Sequence, residues 1–495
     1  MFLETGLLIL GVCLGSAILG TCLAAATTFF TWPGSRFLDW ALLLPFSIPP
    51  YVLTFLWLEL FDIGGPLDFG FSFAWRGLPG GIVILSFSLY PYVYLLAKEA
   101  FHSQSTRALE ASQSLGASPS KALWRTALPL AKPWIGAGLV LVAMEILSDF
   151  GAVSLLGVQT FTIGIYRTWY SLQAPETAAQ LASFVVVVVF FLFSFEKRMR
   201  EKQKFYASDS GVKSFRKISL SWRSQFLLSM FSWGVFALAF LIPVFRLIQF
   251  SLNAVDLAEY SLWKSIMDQA TLHSISLGFL SAALITAASF VLILCSRTSD
   301  KPSFRWGIKL ASVGYALPGA VLAVGVFLPL AWLDQKIRFL SSEIFGVDSG
   351  MLLTGTIAAL VYGYAIRFSP LSLFSIGSAA ERISPNLALA ARTLGAKTGG
   401  MARSIYLPAV RKGLLVSVLF VMVDVMKEMP LTLMVRPFGW DTLAVKIYQY
   451  TSEGLWQTAA LPSLKLVLVG LIPTLLLIKK VSRQSGTPWE GDTKL

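Results

Sequence analysis

ALEASQSLGASPSKALWRTALP, residues Ala108 to Pro129, is a polar, charged interlude between two long apolar segments, and the chain carries it twice. From Leu387 to Pro408 the sequence reads LALAARTLGAKTGGMARSIYLP. Gly116 and Gly395, Ala117 and Ala396, Leu128 and Leu407, and Pro129 and Pro408 all stand 279 positions apart. A spacing kept across the whole stretch marks a duplicated functional element. Ser384-Pro385 supplies an N-cap with proline at the first helical position, small and apolar residues run to Leu394, and Gly395 provides a left-handed stop. A second short helix follows, opening in the first copy at Ser118-Pro119, with Lys121 and Arg125 on one side and Leu123, Trp124 and Leu128 near the other. The spacing predicts two short helices joined by a glycine turn. Ala111, Ala117, Ala390 and Ala396 would leave backbone open to close approach, the shape of a helix that sits in a partner's groove.

The flanking composition decides the medium. Of 495 residues, 55% are hydrophobic and 14% charged, with a positive mean hydropathy, which is membrane composition. A net charge of +13 would suggest nucleic acid in a soluble protein. Here the basic residues cluster in short loops, as the positive-inside rule requires, and nucleic-acid binding is excluded. Cys13, Cys22 and Cys295 fall inside apolar segments, so no disulfide framework is implied. Trp32, Trp40, Tyr51 and Trp456 at span ends read as an aromatic belt.

About eleven spans are expected: 3–30, 38–58, 80–101, 134–157, 178–195, 226–250, 272–295, 308–332, 352–376, 413–435 and 461–479. Lys197, Arg198, Arg200, Lys202, Lys204, Lys213, Arg216, Lys217 and Arg223 make the connector after the fifth span cytoplasmic. Alternation from there puts both copies of the repeated loop and the C-terminus, with Lys479, Lys480 and Arg483, on the same inner side. The organisation expected is a first repeat over 1–195, a basic linker over 196–225, a second repeat over 226–480 and a cytoplasmic tail over 481–495. Pro49 matches Pro318 at an offset of 269, which aligns the first span with the seventh and leaves the first repeat without the helix that opens the second. Repeats that share a direction imply a pseudo-twofold axis along the membrane normal.

The spans after the two repeated loops hold the most informative polar groups. Glu145 and Asp149 lie in MEILSDFG, Asp424 and Glu428 in VDVMKEMP, and the two pairs again differ by 279. Each pair is spaced i, i+4, so both carboxylates project from one helix face, near mid-span. Ionised carboxylates at this depth are expensive, so they face a pathway, a cation or a basic partner. One reading makes all four a transient contact for a hard cation, lining the translocation path. The other pairs them internally, with Lys427 or Arg367, and the sequence leaves both open. There is no G-x4-G-K-[ST] phosphate loop, and His102 and His273 stand far apart with no H-E-x-x-H, so neither ATP hydrolysis nor zinc hydrolysis belongs to this chain.

The pattern E-A-A-x3-G-x9-I-x-L-P is the signature loop of permease subunits of bacterial ABC importers. This chain resembles it through Glu110, Ala111, Ser112, Gly116, Thr126, Leu128 and Pro129, and again through Leu389, Ala390, Ala391, Gly395, Ile405, Leu407 and Pro408. Thr126 stands where Ile is usual, and Leu389 replaces the Glu that in the family helps dock the loop onto the ATPase, so the two docking points should differ in strength. PFSIPPYVLTF, LYPYVYLLAKEAF and AMEILSDFGAVSLLGVQTFTIGIYRTWY resemble the ferric-iron branch of the two-domain permeases. The resemblance implies an all-α polytopic fold of the type I importer kind, built from two parallel-repeat halves in the bacterial inner membrane. It further implies ferric import with two ATPase subunits, as a homodimer holding ATP and Mg, and a periplasmic iron-binding protein, with no cofactor in this chain. The alternatives are the same architecture serving thiamine or a polyamine, and a stand-alone cation channel or secondary transporter.

Overall fold

The computed structural model describes residues 1–484 apart from 63–64, 67–74, 104–111, 113, 116–118, 207–216, 254–259, 300, 347, 349, 382, 385–386, 388–390, 392, 395 and 397. The described chain is almost wholly helical. The first half runs α1 (Phe2–Phe29), α2 (Ser35–Ala41), α3 (Pro50–Phe61), α4 (Leu78–Ser103), α5 (Leu128–Ser148), α6 (Gly151–Leu156), α7 (Phe161–Tyr170) and α8 (Pro175–Tyr206). The second runs α9 (Trp222–Asn253), α10 (Tyr260–Thr298), α11 (Pro302–Ala311), α12 (Gly319–Phe345), α13 (Ile357–Ala380), α14 (Leu407–Lys427), α15 (Pro430–Val435), α16 (Leu443–Ser452) and α17 (Trp456–Gln484). The duplication is visible element by element: α14 and α15 begin and end 279 positions after α5 and α6.

Among the described residues nine helices are long and apolar enough to cross a bilayer, or ten when Ser35–Ser47 and Pro50–Phe61, bent by 96°, are counted together as one span. Adding α14, the repeat counterpart of α5, gives an all-α polytopic protein of about eleven spans. The bend has a local cause. Ile48 and Pro49 are extended because each precedes a proline, and Leu317 before Pro318 is extended in the same way. The crossing helix expected over 308–332 is therefore α12, which starts only after Pro318.

The chain forms two compact units that cut across the repeats: Met1–Arg167 with Phe184–Leu257 and Tyr450–Leu495, and Thr168–Ser183 with Ala258–Gln449. The boundaries 1–195 and 226–480 are thus not those of the units, because α9 and α17 bury their faces in the first. There Trp57 donates its indole N–H to Leu238 O at 3.3 Å, Arg246 pairs with Glu59, and the rings of Phe55 and Trp456 stack at 6.0 Å. α1 and α4 pack backbone to backbone: a Cβ on Gly20 would lie 2.8 Å from Tyr94 N, the close approach that small residues permit between membrane helices. Trp32 and Tyr51, read as belt residues, are buried here, Trp32 donating to Ala26 O at 3.0 Å. After the basic linker the chain returns to this unit. Ile218–Ser219 pairs in parallel with Phe30–Thr31, and Lys217 Nζ donates to Thr27 O at 2.6 Å. In the second unit α10, α13 and α14 share a buried chain of hydroxyls, Thr286 to Ser417 at 2.8 Å and Ser417 to Ser372 at 2.7 Å.

Candidate functional site

Of the signature-loop residues, Glu110, Ala111, Gly116, Ala117, Leu389, Ala390 and Gly395 lie outside the described residues, and Ala396 is described. Ala396 donates its N–H to Ala391 O at 2.9 Å, the six-to-one bond of a Schellman-type helix end. Both alanines pack against a core that includes Ile376, Met401, Tyr406 and Val410, so Ala396 turns towards its own unit rather than outward. Leu115 and Leu394, matched across the repeats, are almost fully exposed at 89% and 88%.

Where each loop joins its span the helix widens to a π turn, over Leu123–Ala127 and over Ala402–Tyr406, again 279 apart. The prolines explain it. Pro129 and Pro408 cannot donate to the carbonyls four residues back and would collide with them. The preceding amides, Leu128 and Leu407, bond five back instead, to Leu123 O and Ala402 O. One extra residue is thereby absorbed at the root of each loop, a feature that recurs at functional sites.

The carboxylates divide into two kinds. In each unit the helix ends one residue before the second carboxylate: Asp149 and Glu428 are extended, with ψ of 134° and 120°. The expectation that each i, i+4 pair shares one helix face is corrected accordingly, since Asp149 and Glu428 have left the helix. Both turn back onto the short helix that follows. Asp149 Oδ1 accepts from Val153 N at 3.0 Å, and Glu428 Oε1 accepts from Leu431 N at 2.9 Å. Each carboxylate stands one position before the N-cap, Phe150 or Met429, and accepts from a first-turn N–H that has no partner within the helix, where a negative charge is favoured. The carbonyls exposed by the break are satisfied too, Asp149 O by Thr162 Oγ1 at 2.6 Å and Glu428 O by Thr432 Oγ1 at 2.8 Å.

The second half adds an ion pair. Arg367 Nε lies 3.1 Å from Glu428 Oε2, with the two side chains 13% and 5% exposed, and Arg367 also donates to Leu317 O at 2.7 Å. The longer arm of Glu428 needs room. A Cβ on Gly319 would collide with its carboxylate and come within 2.9 Å of Pro430 Cγ. In the first half, Pro50 occupies the place of Gly319 and the shorter Asp149 that of Glu428.

The first carboxylate of each pair stays on its helix, half-buried: Glu145 on α5 and Asp424 on α14. Glu145 Oε1 accepts from Tyr92 OH at 2.8 Å, and the ring of Phe46 stands edge-on to Tyr92 at 4.7 Å. Sequence reasoning passed over Tyr92, although LYPYVY places it one residue after the helix-internal Pro91. Within either unit, among the described residues, no three His, Cys, Asp or Glu side chains gather as a metal-holding group. The arrangement is therefore two capped breaks and two half-buried carboxylates.

Residues 16–202 match the family described as the inner membrane component of binding-protein-dependent transport systems. The chain is 27% identical over 477 residues, 96% of its length and 89% of the relative's, to the Fe(3+)-transport system permease protein FbpB 2 of Haemophilus influenzae. It is also 27% identical over 202 residues, 38% of its length and 68% of the relative's, to the sulfate transport system permease protein CysW of Escherichia coli. Among solved structures, one chain of a bacterial alginate ABC transporter in complex with an alginate pentasaccharide-bound periplasmic protein aligns at 16% identity over 54% of this chain and 97% of that one, with a TM-score of 0.39.

Proposed function

We propose, for a chain that belongs to the inner membrane components of binding-protein-dependent transport systems, that it carries ferric iron inward in an ATP-driven importer. Membership makes it the multi-pass inner-membrane permease subunit of an ABC importer, working with ATPase subunits and a periplasmic binding protein. The observation that carries the choice of solute is the likeness over almost the whole chain to a permease named for Fe(3+), together with a half-buried carboxylate at the matched position of each half. Glu145 and Asp424 line the route, and their negative charge favours a cation and repels an oxyanion such as sulfate. Asp149 and Glu428 shape that route by fixing the breaks. The binding protein delivers iron, and two copies of one ATPase, holding ATP and Mg, grip the signature loops at Glu110, Ala111, Gly116 and Ala117 and at Leu389, Ala390 and Gly395, while Ala396 anchors the second loop to its own unit. Leu115 and Leu394 supply the apolar knobs of that grip. ATPase closure then rocks the spans as rigid bodies through the π turns. This chain needs no cofactor of its own, and its C-terminus lies on the cytoplasmic side.

The test is reconstitution in liposomes. The chain alone should pass no iron, and adding ATPase, binding protein and ATP should start ferric uptake that excess sulfate or thiamine does not reduce. Flux without the partners refutes the importer reading, and sulfate or thiamine uptake in place of iron refutes the solute. Replacing Gly116 and Gly395 with Trp should abolish ATPase association while the chain still reaches the membrane.

A further inference from the structure

We propose that Tyr92 and Glu145 form a paired oxygen contact for a hard trivalent cation, and that this contact belongs to the first half alone. The proposal rests on the ferric reading above. A carboxylate inside a span is not left against lipid, so the accessible part of the half-buried Glu145 faces water or the route. The phenol oxygen of Tyr92 lies 2.8 Å from Glu145 Oε1, and the edge-on ring of Phe46 holds it there. Hard cations take oxygen ligands, and a phenol beside a carboxylate offers two kinds at hydrogen-bond separation. With no ion present, the phenol O–H satisfies the carboxylate. On arrival of the ion that O–H bond breaks, the proton leaves to water, and the oxygen coordinates the metal beside Glu145. No electron changes hands. Two protein oxygens completed by water hold an ion more weakly than a closed cage, as a conduit requires.

The second half departs at the same positions. Leu371 stands where the first half has Tyr92, and Arg367, which pairs with Glu428, stands where it has Ser88. Leu371 offers no oxygen where Tyr92 does, and the Arg367 guanidinium is taken up by Glu428. The duplicated sites have become one contact and one clamp.

The experiment uses the full chain in detergent and, with its ATPase and binding protein, in liposomes. Titration with ferric nitrilotriacetate should raise a visible phenolate-to-iron charge-transfer band that Tyr92→Phe removes. Glu145→Gln, which keeps an oxygen to accept from Tyr92 and so keeps the packing, should weaken the band. Both variants should elute as monodisperse protein and lower ferric uptake at least tenfold. If the wild-type complex takes up no ferric iron, the solute reading falls and this proposal with it. If wild type takes up iron and Tyr92→Phe matches it in rate and in absorption, the solute reading stands and the phenol contact is refuted.

Discussion

Replacing Arg367 by Met removes the cation of the pair while keeping most of the side chain's volume. The ion pair spans 3.1 Å between side chains that are 13% and 5% exposed, so little water reaches either end. Removing one partner of a buried pair typically costs about 3–5 kcal/mol, because the remaining charge stays unpaired. The bond from Arg367 to Leu317 O at 2.7 Å goes with it, adding roughly 1 kcal/mol. At roughly 2–4 °C per kcal/mol for a domain of 150–250 residues, R367M should melt on the order of 10 °C below wild type. The assay is the temperature at which half of the detergent-purified protein stays monodisperse. Glu428→Gln keeps the acceptor for Leu431 N–H but strands Arg367, and should lose a similar amount. The double variant R367M/E428Q strands no charge and should recover most of the loss. Unchanged melting of R367M, or a double variant that loses the sum of the singles, would show that the two groups do not share a buried field and would refute the clamp.

Gly319→Ala should cost about 1–3 kcal/mol, since its methyl group meets the Glu428 carboxylate and Pro430; the same melting assay reads it, and wild-type stability would contradict the close approach. Pro129→Ala or Pro408→Ala restores a donor for the carbonyl four residues back, so each π turn should tighten to α-helix. Hydrogen exchange at Leu128 or Leu407 and uptake per ATP hydrolysed should both fall, and unchanged coupling would discount the turns. Asp441, half-buried in the loop after α15, pairs with Arg436 at 2.8 Å and Lys446 at 2.7 Å. Burial raises its pKa, but the bond to Lys446 and the charges of Arg436 and Lys446 outweigh it, leaving the group below the ordinary carboxylate value. A depressed acid contributes stability that is complete above its unfolded pKa of about 3.9 and is lost as pH falls through the folded value. Fluorescence of Trp440, stacked on His273, should therefore change at strongly acidic pH, and a D441N variant should show no such acid transition.

Much of this architecture was legible in the chain because a duplication is its own alignment. One offset of 279 linked the signature loops and the carboxylates, and the structure extends it to the π turns, α5 with α14 and α6 with α15. The spans 134–157 and 413–435 did not read as broken, because hydropathy responds to the apolar run and is blind to a backbone that leaves the helix. The signals were present all the same. Asp149 before Phe150-Gly151, and Met429 before a proline in the first turn of α15, are helix-start chemistry placed inside an apolar run. The Arg367–Glu428 pair was one of two readings the sequence left open, and only distance decides it.

Duplication fixed where the chain breaks, and later substitution decided what each break is made of. The position is inherited: Asp149 and Glu428 interrupt their spans at the same register and cap the same short helix. The chemistry is not. One added methylene in Glu428 reaches a guanidinium, and that reach is possible because Gly319 leaves the space that Pro50 fills in the first half. These three differences depend on one another physically, for a glutamate beside a proline would clash and an arginine without its glutamate would be a stranded charge. Transplanting Gly, Glu and Arg together to positions 50, 149 and 88 should thus be tolerated where Ser88→Arg alone is not, and if the single variant folds as well as the triple, the interdependence argued here is wrong.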